Sequence, residues 1–140
     1  MIFRHAGLVV SDLKKSLRFW TKDIGFKVAS NNIEKGKVIE KVLKLDNCKI
    51  NSIKLTDSTN KICLELIYFE KPKLKKKKIF TNSPGLTHIA ITVKDINKLY
   101  NKLLKKVNFL CKPILSDDKK VKLAYARVDG TLFIEFVEKL

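Results

Sequence analysis

The sequence predicts an α+β fold built of two βαβββ modules, and three observations predict it. The first is an internal repeat: RHAGLVVSDL at 4–13 is echoed by THIAITVKDI at 87–96. The offset of 83 residues pairs His5 with His88, Val10 with Val93, Asp12 with Asp95 and Leu13 with Ile96. Self-similarity at a fixed offset marks a duplicated structural unit. The second is a rhyme at the ends of the two halves. KICLELIYFE (61–70) and TLFIEFVEKL (131–140) each set a glutamate, Glu65 or Glu135, inside an apolar, strand-like run. The third is a shared order of elements: an apolar strand, an amphipathic helix, then three strand candidates.

Each half opens with a short apolar strand, at about 3–10 and 86–93. Asp12 or Ser11, and then Asp95, suit the N-cap of the helix that follows, because a short polar side chain accepts from the free amides of the first turn. Leu13, Leu17, Trp20 and Ile24 recur at helical spacing in the first helix. Ile96, Leu99, Tyr100, Leu103, Leu104 and Val107 form a fuller stripe in the second. Gly25 falls where a left-handed residue closes a helix. Strands are expected at 26–30, 48–55 and 61–69 in the first half. In the second they are expected at about 109–115, 121–128 and 131–138. Asn31-Asn32, Asp57-Ser58 and Asp129-Gly130 are turn signals. Residues 31–47 fit a loop or short helix. The lysine-rich stretch KPKLKKKKIFTNSP (71–84), with two prolines and no periodicity, reads as a linker. One domain is therefore expected over 1–140, with module 1 at about 1–70 and module 2 at about 85–140.

Composition excludes several classes. No apolar run approaches the ~18 residues of a membrane-spanning helix, so no membrane partner is expected. The N-terminus lacks a basic region ahead of an apolar stretch, so no secretory signal is expected. Cys48, Cys63 and Cys111 are odd in number and lack CxxC spacing, which argues against a disulfide framework and suits a reducing cytoplasm. The net charge of +16 invites a nucleic-acid reading. Against it, only Arg4, Arg18 and Arg127 are arginines. The remaining basic residues are lysines, spread over helix faces and loops beside many Ile and Asn. Arginine supplies the forked contacts of base and phosphate recognition, whereas lysine is a flexible point charge. A basic solvated surface is expected, and no specific nucleic-acid partner.

The chemistry lies in four residues. The only two histidines, His5 and His88, occupy the same position of the repeated strand. Glu65 and Glu135 recur in the closing strands. A strand alternates faces, so Glu65 shares one with Cys63 and Ile67, and Glu135 shares one with Phe133 and Val137. A carboxylate on an apolar face is costly unless it is paired or bound to a cation. Taken singly, a strand histidine can be a satisfied core residue and a strand glutamate can face solvent at an edge. Their recurrence in both halves points instead to one divalent ion held by His5, Glu65, His88 and Glu135. Imidazole nitrogen and carboxylate oxygen suit Zn²⁺, Ni²⁺, Co²⁺, Mn²⁺ or Fe²⁺.

On these residues the chain resembles the vicinal oxygen chelate superfamily, which groups glyoxalases, bleomycin-resistance proteins and dioxygenases. The resemblance is carried by RHAGLVVSDLKKSLRFWTKDIGFKV (4–28), CLELIYFEKP (63–72), GLTHIAITVKDI (85–96) and DGTLFIEFVE (129–138). It implies two βαβββ modules whose sheets curl around an open metal cavity. It also implies that the first and last strands of each module lie side by side, His5 near Glu65 and His88 near Glu135. In glyoxalase I the corresponding ligands are His, Glu, His and Glu, and all four types are present here. The chain departs from the family at its last turn. The usual DPDG is replaced by Arg127-Val128-Asp129-Gly130, and Glu135 follows Gly130 by five residues where four is usual. No clear match exists to the arginines and asparagines by which glyoxalase I holds glutathione.

The resemblance implies a metal-dependent lyase or isomerase of the glyoxalase I type. The metal would chelate two vicinal oxygens of an α-oxygenated carbonyl substrate and stabilise an enediolate, and a glutamate, Glu135 or Glu65, would carry the proton between carbons. Glu135 is the expected base. A methylmalonyl-CoA epimerase-like enzyme is the alternative, although that group commonly has glutamine where Glu65 stands. An extradiol dioxygenase would use Tyr125, but it also wants a histidine shortly before it, and SDDKKVKLAY (116–125) has none. Non-catalytic drug-binding members generally lack the ligand set. The expected substrate is a small molecule, a thiol conjugate or an acyl thioester, and the expected assembly is a homodimer.

Overall fold

A computed structural model of the chain describes residues 2–75, 78–128 and 132–140. The chain divides into two compact units, Met1–Lys75 and Lys76–Leu140, each with its own sheet. The turn expected at Asp129-Gly130 lies outside the described residues.

In the first unit β1 (Ala6–Val9) leads to α1 (Leu13–Arg18). Asp12 caps α1, its carboxylate accepting from the Lys15 amide at 2.9 Å. From Phe19 to Ile24 the helix widens to π geometry. The stripe of Leu13, Leu17, Trp20 and Ile24 predicts a regular helix, but the wider segment turns two successive aromatics inward. Phe19 and Trp20 are both buried, Trp20 completely. Gly25 ends the helix at φ 95°, as its position predicts, and the amides of Gly25 and Phe26 both bond the Trp20 carbonyl.

The other strands are β2 (Lys27–Lys35), β3 (Lys49–Thr56) and β4 (Ile62–Lys71), ordered β1-β4-β3-β2 in the sheet. β1 runs parallel to β4, and the other pairs are antiparallel. Alternation along β4 buries Leu64 and Leu66 and leaves Cys63, Glu65 and Ile67 half-buried. Ile53 and Leu55 of β3 register with Leu66 and Leu64 and complete the buried face. Each such side chain contributes about 1.5–3 kcal/mol by leaving water.

One turn expectation fails in this unit. Asn31-Asn32 is no turn. Both residues lie within β2, registered to Ile53 and Ser52, and the ladder with β3 overrides their weak strand preference. The reversal comes at Gly36, φ 94°, followed by α2 (Lys37–Leu43). Residues 31–47 are therefore the end of a strand and a short helix. The Asp57 turn is as expected, its carboxylate accepting from the Thr59 amide and hydroxyl.

The second unit contains β5 (His88–Thr92), α3 (Ile96–Leu103), β6 (Asn108–Phe109), β7 (Ile114–Leu115), β8 (Val121–Val128) and β9 (Leu132–Lys139). Its sheet runs β5-β9-β8-β6, with β7 also on β8, and β5 is parallel to β9. Asp95 caps α3 by accepting from the Lys98 amide at 2.8 Å, and Glu138 of β9 accepts from the Ile96 amide at 2.9 Å. The helix stops four residues before Val107, and the chain leaves it through a tighter turn in which the Lys106 amide bonds the Leu103 carbonyl three residues back. The strand expected over 109–115 is broken into β6 and β7. Pro113, which has no amide hydrogen to give a ladder, lies between them. Ile96, Leu103, Ala124, Ala126, Ile134 and Phe136 form the core. Among the described residues no helix is long and apolar enough to cross a membrane.

Candidate metal centre

Both units place their histidine and glutamate by the same register. In unit 1 the parallel ladder pairs Gly7 with Glu65, so His5 stands two residues before the glutamate's partner. In unit 2 it pairs Ala90 with Glu135, and His88 again stands two residues before the partner. A two-residue step returns to the same face of a strand. Each imidazole is therefore brought to the face that carries its carboxylate. The longer interval between Gly130 and Glu135 leaves this register unchanged.

The resulting pairs differ in tightness. His5 Nε2 lies 3.0 Å from Glu65 Oε2, with the side chains 20% and 13% exposed. His88 Nε2 lies 3.6 Å from Glu135 Oε2, with 41% and 23% exposed. Gly7 and Ala90, beside the carboxylates, are exposed, so each face remains reachable from solvent. Among the described residues no group of three or more His, Cys, Asp or Glu stands together as a metal cluster. The donors come as two pairs, one per unit.

The antiparallel neighbour adds a different group in each unit. Lys54 of β3 is registered to Glu65, and its Nζ lies 3.8 Å from Oε1. Tyr125 of β8 is registered to Glu135, which sets its phenol beside that carboxylate. The tyrosine ring lies 5.4 Å from the His88 ring, centroid to centroid. Burial, and then the charge and hydrogen bond of Glu135, push the Tyr125 phenol above its ordinary value, so it stays a protonated donor at neutral pH. Cys63, on the Glu65 face, has its thiol pushed up, chiefly by burial, and directs it to the Leu55 carbonyl at 3.7 Å.

Lys54 is the site residue that the sequence leaves hidden, since one lysine among many carries no signal of its own. Tyr125 is visible only through its spacing to Glu135. A cross-strand pairing would reveal both, but it depends on the hairpin registers.

The donor set fits a divalent ion of borderline character. Each unit offers an imidazole nitrogen and a carboxylate oxygen at near-contact distance on a half-buried face. His5 Nδ1 is moreover buried without a hydrogen-bond partner. One ring nitrogen thus faces the carboxylate while the other is unsatisfied.

Known proteins share this architecture. A glyoxalase family protein from Bacillus cereus matches with a TM-score of 0.90 at 19% identity, covering 100% of this chain and 95% of that one. The trypanothione-dependent glyoxalase I of Leishmania major matches with a TM-score of 0.65 at 22% identity, over 99% of this chain and 86% of that one. A glyoxalase I variant from Zea mays matches with a TM-score of 0.66 at 21% identity, over 97% of this chain and 46% of that one. These likenesses establish the fold, the two-module vicinal oxygen chelate fold. No curated protein matches the chain by sequence. The family model for the Glyoxalase/Bleomycin resistance protein/Dioxygenase superfamily matches residues 2–114, a stretch that contains His5, Glu65 and His88 and ends before Glu135. With most of its length matched by that model and its fold shared with glyoxalases, the chain belongs to the Glyoxalase/Bleomycin resistance protein/Dioxygenase superfamily.

Proposed function

We propose that this protein is a metal-dependent lyase or isomerase of the glyoxalase I type, acting on an α-oxygenated carbonyl compound. The observation that supports it most is the repeated register: Gly7 opposite Glu65 and Ala90 opposite Glu135, with a histidine two residues earlier each time. His5 with Glu65, and His88 with Glu135, would be the donor pairs that hold divalent metal. When bound, it supplies Lewis-acid stabilisation of negative charge on the substrate oxygens.

The chain's own residues divide the remaining work. Glu65 is engaged on both oxygens, by His5 at 3.0 Å and by Lys54 at 3.8 Å, and serves as ligand. Glu135 has a looser histidine at 3.6 Å and a neutral phenol. It is also the more exposed of the two, and serves as base. It takes a proton from the carbon bearing one substrate oxygen and returns it to the neighbouring carbon, so the reaction is redox-neutral overall. Tyr125 holds the Glu135 carboxylate in orientation while this happens. The proposed partner is a small thiol conjugate or acyl thioester. The proposed assembly, a homodimer in the cytoplasm, rests on the family resemblance, and light scattering at micromolar concentration would test it.

The functional test is metal content of the purified protein, followed by turnover of the hemithioacetal of methylglyoxal and glutathione and, separately, of methylmalonyl-CoA. Stoichiometric divalent metal with hemithioacetal turnover is expected. Turnover of the thioester alone would move the assignment to the epimerase. Full activity in metal-free protein would refute the mechanism.

A further inference from the structure

Lys54 is a charged residue in an unusual place. It lies in β3, an interior strand flanked by β4 and β2, registered to Glu65 on one side and to Ser30 on the other. Its side chain is 24% exposed, so its ammonium has lost part of its hydration and needs compensation. Among the described residues that compensation is Glu65, through Oε1 at 3.8 Å. The other oxygen, Oε2, faces His5 Nε2 at 3.0 Å. The two oxygens of one carboxylate are thus divided between two groups.

We infer that Lys54 is a positioning and charge-setting residue of the unit 1 half of the metal centre. It retains Oε1 and leaves Oε2 as the oxygen offered beside His5. It also weakens the hold of this half on a divalent cation. The inference rests on the reading of His5 and Glu65 as metal donors.

The physical reason is electrostatic. A cation taken up at Oε2 and Nε2 brings two positive charges within a few ångströms of the lysine's one. Only part of that repulsion is screened on a half-buried face. The Glu65 charge is, in addition, already compensated before the metal arrives. In unit 2 the matching position holds neutral Tyr125, so among the described residues Glu135 meets no such competitor across the ladder. The lysine therefore favours exchangeable metal over permanently bound metal.

The test titrates metal-free, full-length protein with Zn²⁺ against a chromophoric chelator, at low and at high salt. Lys54→Met should bind Zn²⁺ about tenfold more tightly than wild type at low salt, and the gap should narrow as salt rises. Lys54→Arg, which keeps the charge, should stay within about twofold of wild type. Lys54→Gln removes the charge without adding an apolar end and should move in the same direction as Lys54→Met, so it carries the test if the methionine variant folds poorly. Charge-removing variants that bind Zn²⁺ no more tightly than wild type overturn the inference about Lys54 and leave the metal centre standing. A wild-type chain that takes up no Zn²⁺ overturns both.

Discussion

The two modules repeat one backbone arrangement and finish it with different side chains. In each, a parallel ladder between the first and last strands sets a histidine two residues from the partner of a glutamate. Across the antiparallel ladder, module 1 places Lys54 against its glutamate and module 2 places Tyr125. The histidine contact tightens in the first, 3.0 Å, and loosens in the second, 3.6 Å. Duplication thus fixes where donors stand. Under the proposed function, the residue facing each carboxylate would decide whether that carboxylate is tied down or available to move a proton.

The largest effects should come from breaking what the modules share. His5→Ala and His88→Ala each remove a donor, so each should cost more in metal affinity than the roughly 10–100-fold typical of a lost outer-shell partner, and turnover should fall with it. Elemental analysis beside steady-state kinetics measures both. Stoichiometric metal retained in the double variant would refute the site.

An intermediate effect should come from sharpening the difference. Tyr125→Phe removes the phenol hydroxyl that stands across the ladder from Glu135, a donor worth about 1.5–3 kcal/mol when it meets a carboxylate. Turnover should fall by about tenfold while bound metal stays at the wild-type level. A parallel loss of metal would mean that Tyr125 supports a ligand and not a base.

The smallest effect concerns one aspartate turn in each module. The Asp57 carboxyl lies below its ordinary range because the Thr59 hydroxyl, and then the Thr59 amide, donate to the ionised form. Asp118 is lowered in the same way by the Ser116 hydroxyl and the Lys120 amide. A depressed folded-state value contributes stability above the unfolded value, about pH 3.9, and loses it as pH falls through the folded value. Asp57→Asn and Asp118→Asn should each lower the melting temperature slightly at neutral pH. The deficit should be small because solvent-exposed charges contribute little, and it should vanish in acid as the two carboxylates protonate. Melting curves across the acid range would show it.

Much of this architecture is legible in the residues themselves. The 83-residue offset joins His5 to His88, and a period of two places Glu65 and Glu135 on definite faces. Asp12, Asp95 and Gly25 act through local chemistry, and each does what its position predicts. Three features escape local reading because a nonlocal partner decides them. Asn31 and Asn32 look like a turn until β3 pairs with them. The widening at Phe19 answers the need to bury two adjacent aromatics, and no helical stripe announces it. Lys54 is indistinguishable from other lysines until the hairpin register sets it against Glu65.

The central claim is that two equivalent carboxylates do different work. The most direct measurement compares Glu65→Gln with Glu135→Gln for bound metal and for hemithioacetal turnover in the same preparations. Glu65→Gln should lose most of its metal, and its activity should fall in proportion. Glu135→Gln should keep much of its metal, since an amide oxygen still coordinates, yet lose roughly 10²–10⁴-fold in turnover because it cannot accept the proton. Equal losses of metal and of turnover in the two variants would contradict the division of labour.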